Sequence, residues 1–218
     1  MKTYTRDEIY ELHKKYTQGA HPERFLDSVW THSQIVAEIA DRICDFLKKT
    51  YEVTPNRELV QTGALLHDIG VYKCHDDELN PVQEPGYISH GIEGYKILKK
   101  ESYPEYLARF PLSHTGTGIT TEDIERENFN LELKNYIPVT LEEEIVCYAD
   151  KFHTKYPAFD TFDKAKSRLE KFDPSKGILM NRFKKKFGIP DVSDLEAKYK
   201  DWQEELDHYL TSLSEAKK

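Results

Sequence analysis

His67 and Asp68 stand side by side in Leu65-Leu66-His67-Asp68-Ile69-Gly70, at the end of an apolar run. Burying an imidazole beside a carboxylate is costly unless each finds a partner, and one divalent cation satisfies both. Adjacent backbone positions let the two side chains face different members of a metal pair. A His-Asp dipeptide arises by chance in many chains, so its weight comes from its surroundings. His32 lies upstream at the start of an apolar face. Asp150 lies downstream in Val146-Cys147-Tyr148-Ala149-Asp150-Lys151, a carboxylate within an otherwise buriable run.

Helices must position these residues, because apolar spacing near about 3.6 residues dominates the chain and no strong strand alternation competes with it. The spacing predicts a first helix capped by Thr5 or Asp7 and carrying Ile9, Leu12 and Tyr16. A second runs from about Ser28 to Lys49, with His32, Val36, Ile39 and Ile43 on one face. Thr54-Pro55 reads as the start of a third, which carries Leu59, Gly63, Leu66 and His67 and stops at Gly70. Residues from about Tyr72 to Ile88 read as irregular. Ser89 reads as a cap, and Pro104 opens a helix towards His114 that the Gly116 to Gly118 stretch breaks. Thr140 and Glu143 have capping-box spacing ahead of Leu141, Ile145, Ala149 and Phe152, on a helix that also holds Asp150. Two further helices are expected, one after Asp173-Pro174 using Ile178, Leu179, Phe183 and Phe187. The other follows Ser193 and uses Leu195, Tyr199, Trp202, Leu206 and Leu213. They are expected to dock on the core, giving one domain over residues 1–218 with a core of about 25–160 and an extension of about 160–218.

Composition excludes several classes. With 14 Tyr and 10 Phe, the chain has too many large buriable side chains for a disordered segment. A net charge of −8 disfavours stable nucleic-acid binding, though a small anion can bind where metals supply positive charge. Cys44, Cys74 and Cys147 are scattered, without a Cys-x-x-Cys pair, as in a reduced protein. With neither an apolar signal core nor a membrane-length apolar run, a cytoplasmic chain with no membrane partner is expected.

His32, His67-Asp68 and Asp150, on separate helices, resemble the signature of the HD-domain metal-dependent phosphohydrolase superfamily. His67-Asp68-Ile69-Gly70 matches the commonest form of its central motif, and the resemblance runs from about Ser28 to Lys155. It implies an all-α, HD-domain-like helical bundle, here with extra C-terminal helices. His90 and His114 fall where the dinuclear branches place two further ligands. The resemblance therefore implies two divalent transition-metal ions, drawn from Fe, Mn, Co, Ni or Zn. One would be held by His32, His67, Asp68 and Asp150, the other by His90 and His114 with Asp68 bridging. His67 and Asp68 would be catalytic. The order is similar to that of small bacterial enzymes that cleave dinucleoside tetraphosphates. The Gly-Tyr-Pro segment and second adjacent histidine of the HD-GYP phosphodiesterases are missing.

Such a centre is positive inside an acidic protein, and two metals about 3.5–4 Å apart activate water and clamp phosphoryl oxygens. The expected reaction is hydrolysis of a small phosphorylated substrate, a nucleotide or related phosphoester. A mixed-valent di-iron oxygenase and a nucleotide sensor with little turnover are the alternatives. Lys73, Lys151, Thr115 and Gly116 are the candidate substrate contacts, with Gly118 beside them. His75 and His153 are expected outside the ligand set, and His13, His21 and His208 on the surface. The basic run Arg182 to Lys186 reads as a solvated helix face. The aromatic-rich C-terminal helices are a possible homodimer surface.

Overall fold

The structure, a computed structural model, describes residues 2–17, 22–75, 82–154 and 158–215. Among them lie eleven α-helices and one two-stranded antiparallel ribbon. The chain is all-α, as its periodicity predicts.

Helix α1, Arg6–Tyr16, starts at a capping box in which Thr5 and Glu8 satisfy each other's backbone N–H. Helix α2, Pro22–Tyr51, has 30 residues and reaches further at both ends than its apolar stripe predicts. Its buried face runs through Val29, His32, Val36, Ile39 and Ile43. Helix α3, Arg57–Leu66, begins two residues later than Thr54-Pro55 suggests, because the Asn56 side chain accepts from Leu59 N at 3.1 Å. A 3₁₀ segment, Ile69–Lys73, follows the His-Asp pair.

A 3₁₀ turn, Tyr87–Ser89, leads into α4, His90–Lys100. Ser89 stands at the cap position, but its Oγ donates to Pro85 O at 2.8 Å and does not cap the helix. Helix α5, Glu105–Ser113, follows Pro104. Helix α6, Thr121–Glu127, which apolar spacing does not predict, opens on a Thr120/Asp123 capping box. Helix α7, Leu141–Ala149, is capped by Thr140 and gives way to a 3₁₀ turn, Asp150–Phe152, so Asp150 sits at its end rather than within it. Strand β1, His153–Thr154, pairs with β2, Ala158–Phe159. Helices α8 (Phe162–Phe172), α9 (Pro174–Phe187), α10 (Ser193–Lys198) and α11 (Lys200–Glu215) complete the chain.

Helix α2 packs against α3 and α7, which also meet each other, while α4 lies against α5 and the Ile69–Lys73 segment. The main apolar cluster joins Ile39, Leu66, Leu98, Phe110 and Tyr148 to Met180, Phe187 and Leu195 of the C-terminal helices. A smaller cluster, Ile119, Ile124 and Tyr136, caps one side. Lys176 is buried and ties that cap to α9, donating to Gly118 O at 3.0 Å and pairing with Asp123. Among the described residues, no helix is long and apolar enough to cross a membrane.

Two details depart from the periodicity. Ile178 is 65% exposed, and α9 instead buries Lys176, Met180, Phe183 and Phe187, leaving Arg182 and Lys184 to Lys186 in solvent. The fully apolar choice of face loses because Lys176 has buried partners. The side chain of Leu213 and all of His21 fall outside the described residues, and His208 is exposed.

His13 is buried, contrary to its expected surface place. One ring nitrogen meets Leu65 O at 2.8 Å and the other meets the Tyr72 hydroxyl at 2.9 Å. Burial pushes its pKa from 6.5 down to about 4, against the opposing pull of the Leu65 carbonyl. Between those values the unfolded chain binds the extra proton and the folded chain does not. The stabilisation tied to neutral His13 is therefore complete above about 6.5 and lost as pH falls towards about 4, a difference of about 3 kcal/mol. Urea unfolding at pH 7 and pH 4.5 should show a steeper loss in the wild type than in His13→Phe. Equal losses would refute the assignment.

Candidate metal centre

Helix ends deliver most of the chemistry. His67 follows the last residue of α3, His114 follows α5, Asp150 follows α7, and His90 opens α4. His32 alone comes from a helix interior, on α2. Asp68 stands between α3 and the 3₁₀ segment. These side chains are buried, with Asp150 the most open at 14% exposure.

The donor atoms converge in two overlapping groups. His32 Nε2 lies 3.3 Å from Asp68 Oδ2 and 3.1 Å from Asp150 Oδ1. His67 Nε2 lies 3.4 and 3.5 Å from the same two oxygens. On the other side, Asp68 Oδ1 lies 3.6 Å from His90 Nε2 and 3.2 Å from His114 Nε2, and these two nitrogens are 2.9 Å apart. Donors about 2.1 Å from a shared cation stand about 3.0–3.4 Å from one another, so both groups have suitable spacing. Asp68 belongs to each, one oxygen apiece. His67 Nε2 is buried without a hydrogen bond of sound geometry, as expected of an atom placed to ligate. The donor set, imidazole and carboxylate, suits a divalent transition metal.

Ring tautomers agree with this use. The Nδ1 atoms of His67, His90 and His114 face the carbonyls of Ala64, Tyr87 and Pro111 at 2.6, 2.7 and 2.8 Å. A carbonyl only accepts, so each Nδ1 carries hydrogen and each neutral ring has its lone pair at Nε2. His32 Nδ1 instead meets His153 Nδ1 at 2.8 Å.

The charges are tightly balanced. Burial works to lower the His67 pKa, yet Asp68 and Asp150 raise it to about 9. A cation bound at His67 Nε2 competes with a proton for the same lone pair. Burial lowers the pKa of His114, which keeps that ring neutral. Burial would raise that of Asp150, but Lys151 and the imidazoles of His32 and His67 hold it well below the usual carboxylate range. Lys151 is itself buried, with Nζ 2.6 Å from Asp150 Oδ2 and 2.9 Å from His114 O.

A cavity of about 490 Å³ opens above the cluster. His32, His90, His114 and Asp150 reach its floor, and Lys151, Thr115 and Gly116 line it. Gly116 adopts φ 60°, which lets the chain turn beside His114 where a side chain would be strained. Lys73 is not part of that lining; its Nζ lies 5.7 Å above the Tyr16 ring, on the α1 side of the 3₁₀ segment. Gly118 also falls outside the lining, its carbonyl engaged by Lys176.

Several residues of the pocket were not legible beforehand. His153 is buried against His32, and His75 and Tyr87 line the cavity. Tyr87 stacks on His90 with ring centroids 4.6 Å apart. Arg168 and Leu169 of α8 and Leu210 of α11 form one wall. Arg168 pairs with the buried Asp160, which also meets Lys164 at 2.7 Å. Helix α8 went unpredicted, although Thr161 gave its start: the Thr161 side chain accepts from Lys164 N.

Residues 29–155 match the family described as HD domain. An uncharacterized protein of Methanocaldococcus jannaschii is 38% identical over 161 residues, 71% of this chain and 86% of its own length. A tRNA (cytidine(56)-2'-O)-methyltransferase of Picrophilus torridus is 33% identical over 147 residues, 67% of this chain and 36% of that protein. The chain thus spans about a third of that methyltransferase's length. Among solved structures, the HD domain of the L. monocytogenes phosphodiesterase PgpH aligns over 95% of this chain and 98% of its own, with a TM-score of 0.48 and 19% identity.

Proposed function

This chain belongs to the HD domain family, and from that premise we propose that it is a metal-dependent phosphohydrolase acting on a small phosphorylated molecule, a nucleotide or related phosphoester. The observation that carries this reading is the division of Asp68, whose Oδ2 faces His32 and His67 while its Oδ1 faces His90 and His114. His32, His67, Asp68 and Asp150 would hold one divalent ion, and His90, His114 and Asp68 a second. Bound there, the ions supply an acidified water for attack on phosphorus and neutralise the phosphoryl oxygens.

The protein's own residues do the positioning. Lys151 ties down Asp150 Oδ2, so that Oδ1 faces the imidazoles, and it adds positive charge to the cavity floor. Thr115 and Gly116 offer a hydroxyl and backbone beside His114. Three free, buried cysteines favour a reducing compartment, the cytoplasm.

The test is metal analysis of freshly purified protein joined to a screen of p-nitrophenyl phosphate, nucleotides and dinucleoside polyphosphates. Hydrolysis, read as nitrophenol, phosphate or nucleotide product, should require metal. Chelation should remove at least about 10³-fold of the rate, several kcal/mol of barrier, and re-addition should restore it. Metal-free protein that hydrolyses none of these substrates would overturn the reading, and metal-dependent oxygen consumption would replace it with an oxidation.

A further inference from the structure

The histidines at helix ends find their acceptors locally. Ala64 and Pro111 lie in the last turns of α3 and α5, where carbonyls have no partner within the helix. Tyr87 opens a 3₁₀ turn, and each of the three carbonyls stands three residues before its histidine. His32 has no such option. It sits inside the 30-residue α2, where backbone carbonyls are committed to the helix ladder. Its Nδ1 needs an acceptor from another element, or the ring can hold its hydrogen at Nε2 and donate it to Asp150 Oδ1, 3.1 Å away. That arrangement would occupy two donors needed by a cation.

We propose that His153 is the positioning residue for His32, accepting its Nδ1–H and so leaving the Nε2 lone pair directed at the cluster. This rests on the metal-centre reading above. The two Nδ1 atoms are 2.8 Å apart, and the ring planes are inclined by 27° with centroids at 5.1 Å. The placement of His153 is built in. Asp150 follows α7, the 3₁₀ turn Asp150–Phe152 leads straight into β1, and β1 sets His153 opposite Phe159. Phe159 and Trp202 flank the His153 ring at 4.9 and 6.1 Å, and Trp202 is anchored by its indole N–H donating to Asp27 of α2 at 2.7 Å. One short turn therefore supplies a carboxylate donor and the group that orients an imidazole on another helix.

The test compares the full-length wild type with His153→Asn and His153→Leu. Leu and Asn have nearly the same shape, but only Asn places an acceptor oxygen near the former Nδ1. Titrating metal-free protein with Co²⁺ by calorimetry should show Leu weakening one ion by about 10- to 100-fold, with Asn recovering most of it. His153→Phe, which keeps the aromatic contacts to Phe159 and Trp202, should behave like Leu while retaining the wild-type melting temperature. Equal Co²⁺ affinity in wild type and Leu variant, or equal weakening by Leu and Asn, would overturn the proposal. Absence of Co²⁺ binding by the wild type would instead overturn the metal-centre reading, and this proposal with it.

Discussion

Asp68→Asn is expected to purify as a folded protein with less than one bound metal per chain and hydrolysis of its phosphoester substrate reduced by at least about 10³-fold. The side chain keeps its shape, so the buried site stays filled. Its chemistry changes on both sides at once. An amide offers one neutral oxygen and one NH₂ group, and the NH₂ group must face either the His32/His67 pair or the His90/His114 pair. One ion then meets a donor hydrogen in place of a ligand, and the other loses its anionic partner. The raised pKa of His67, for which Asp68 is the foremost opposing cause to burial, should fall towards or below its ordinary value. Metal content by mass spectrometry and far-ultraviolet circular dichroism decide the matter. Wild-type metal content and rate in the variant would remove Asp68 from the centre.

Gly70→Ala is expected to cost roughly 3 kcal/mol or more in unfolding free energy, an overpacking penalty at the upper end of its range. A Cβ at Gly70 would stand 1.9 Å from His90 O and 2.3 Å from Gly94 N, both backbone atoms that cannot rotate aside. The Ile69–Lys73 segment and α4 must separate for it to fit. That separation carries His90 away from Asp68, so the variant that still folds should also bind one ion fewer. Chemical denaturation with metal analysis tests both parts. An unchanged midpoint would mean that the two segments do not meet as described.

Gly70 also shows where sequence reading stops. A glycine after an apolar helix reads as a stop signal, but α3 ends four residues earlier, at Leu66, and Gly70 lies inside the 3₁₀ segment that follows. The contact with α4, distant in sequence, leaves no local trace. The same distinction separates the donors from their supports. His32, His67, Asp68, His90, His114 and Asp150 were legible because their order along the chain matches a known arrangement, and the structure brings them together. His153 looked like a bystander three residues beyond Asp150, because its partner lies 121 residues away on α2. His13 reads as a surface residue from the sequence, yet its two ring nitrogens meet Leu65 and Tyr72. Caps formed by single side chains, Asn56 and Thr161, shifted or concealed helix starts that apolar spacing alone placed poorly.

The wall formed by Arg168, Leu169 and Leu210 lies beyond residue 155, where the family match ends. Floor and wall thus come from separable stretches of one polypeptide. Two proteins can agree at every metal-binding position and still admit different molecules where they differ at the part of the wall written after the shared segment closes. Exchanging α8 and α11 between relatives is then a route to new selectivity on an untouched reaction centre.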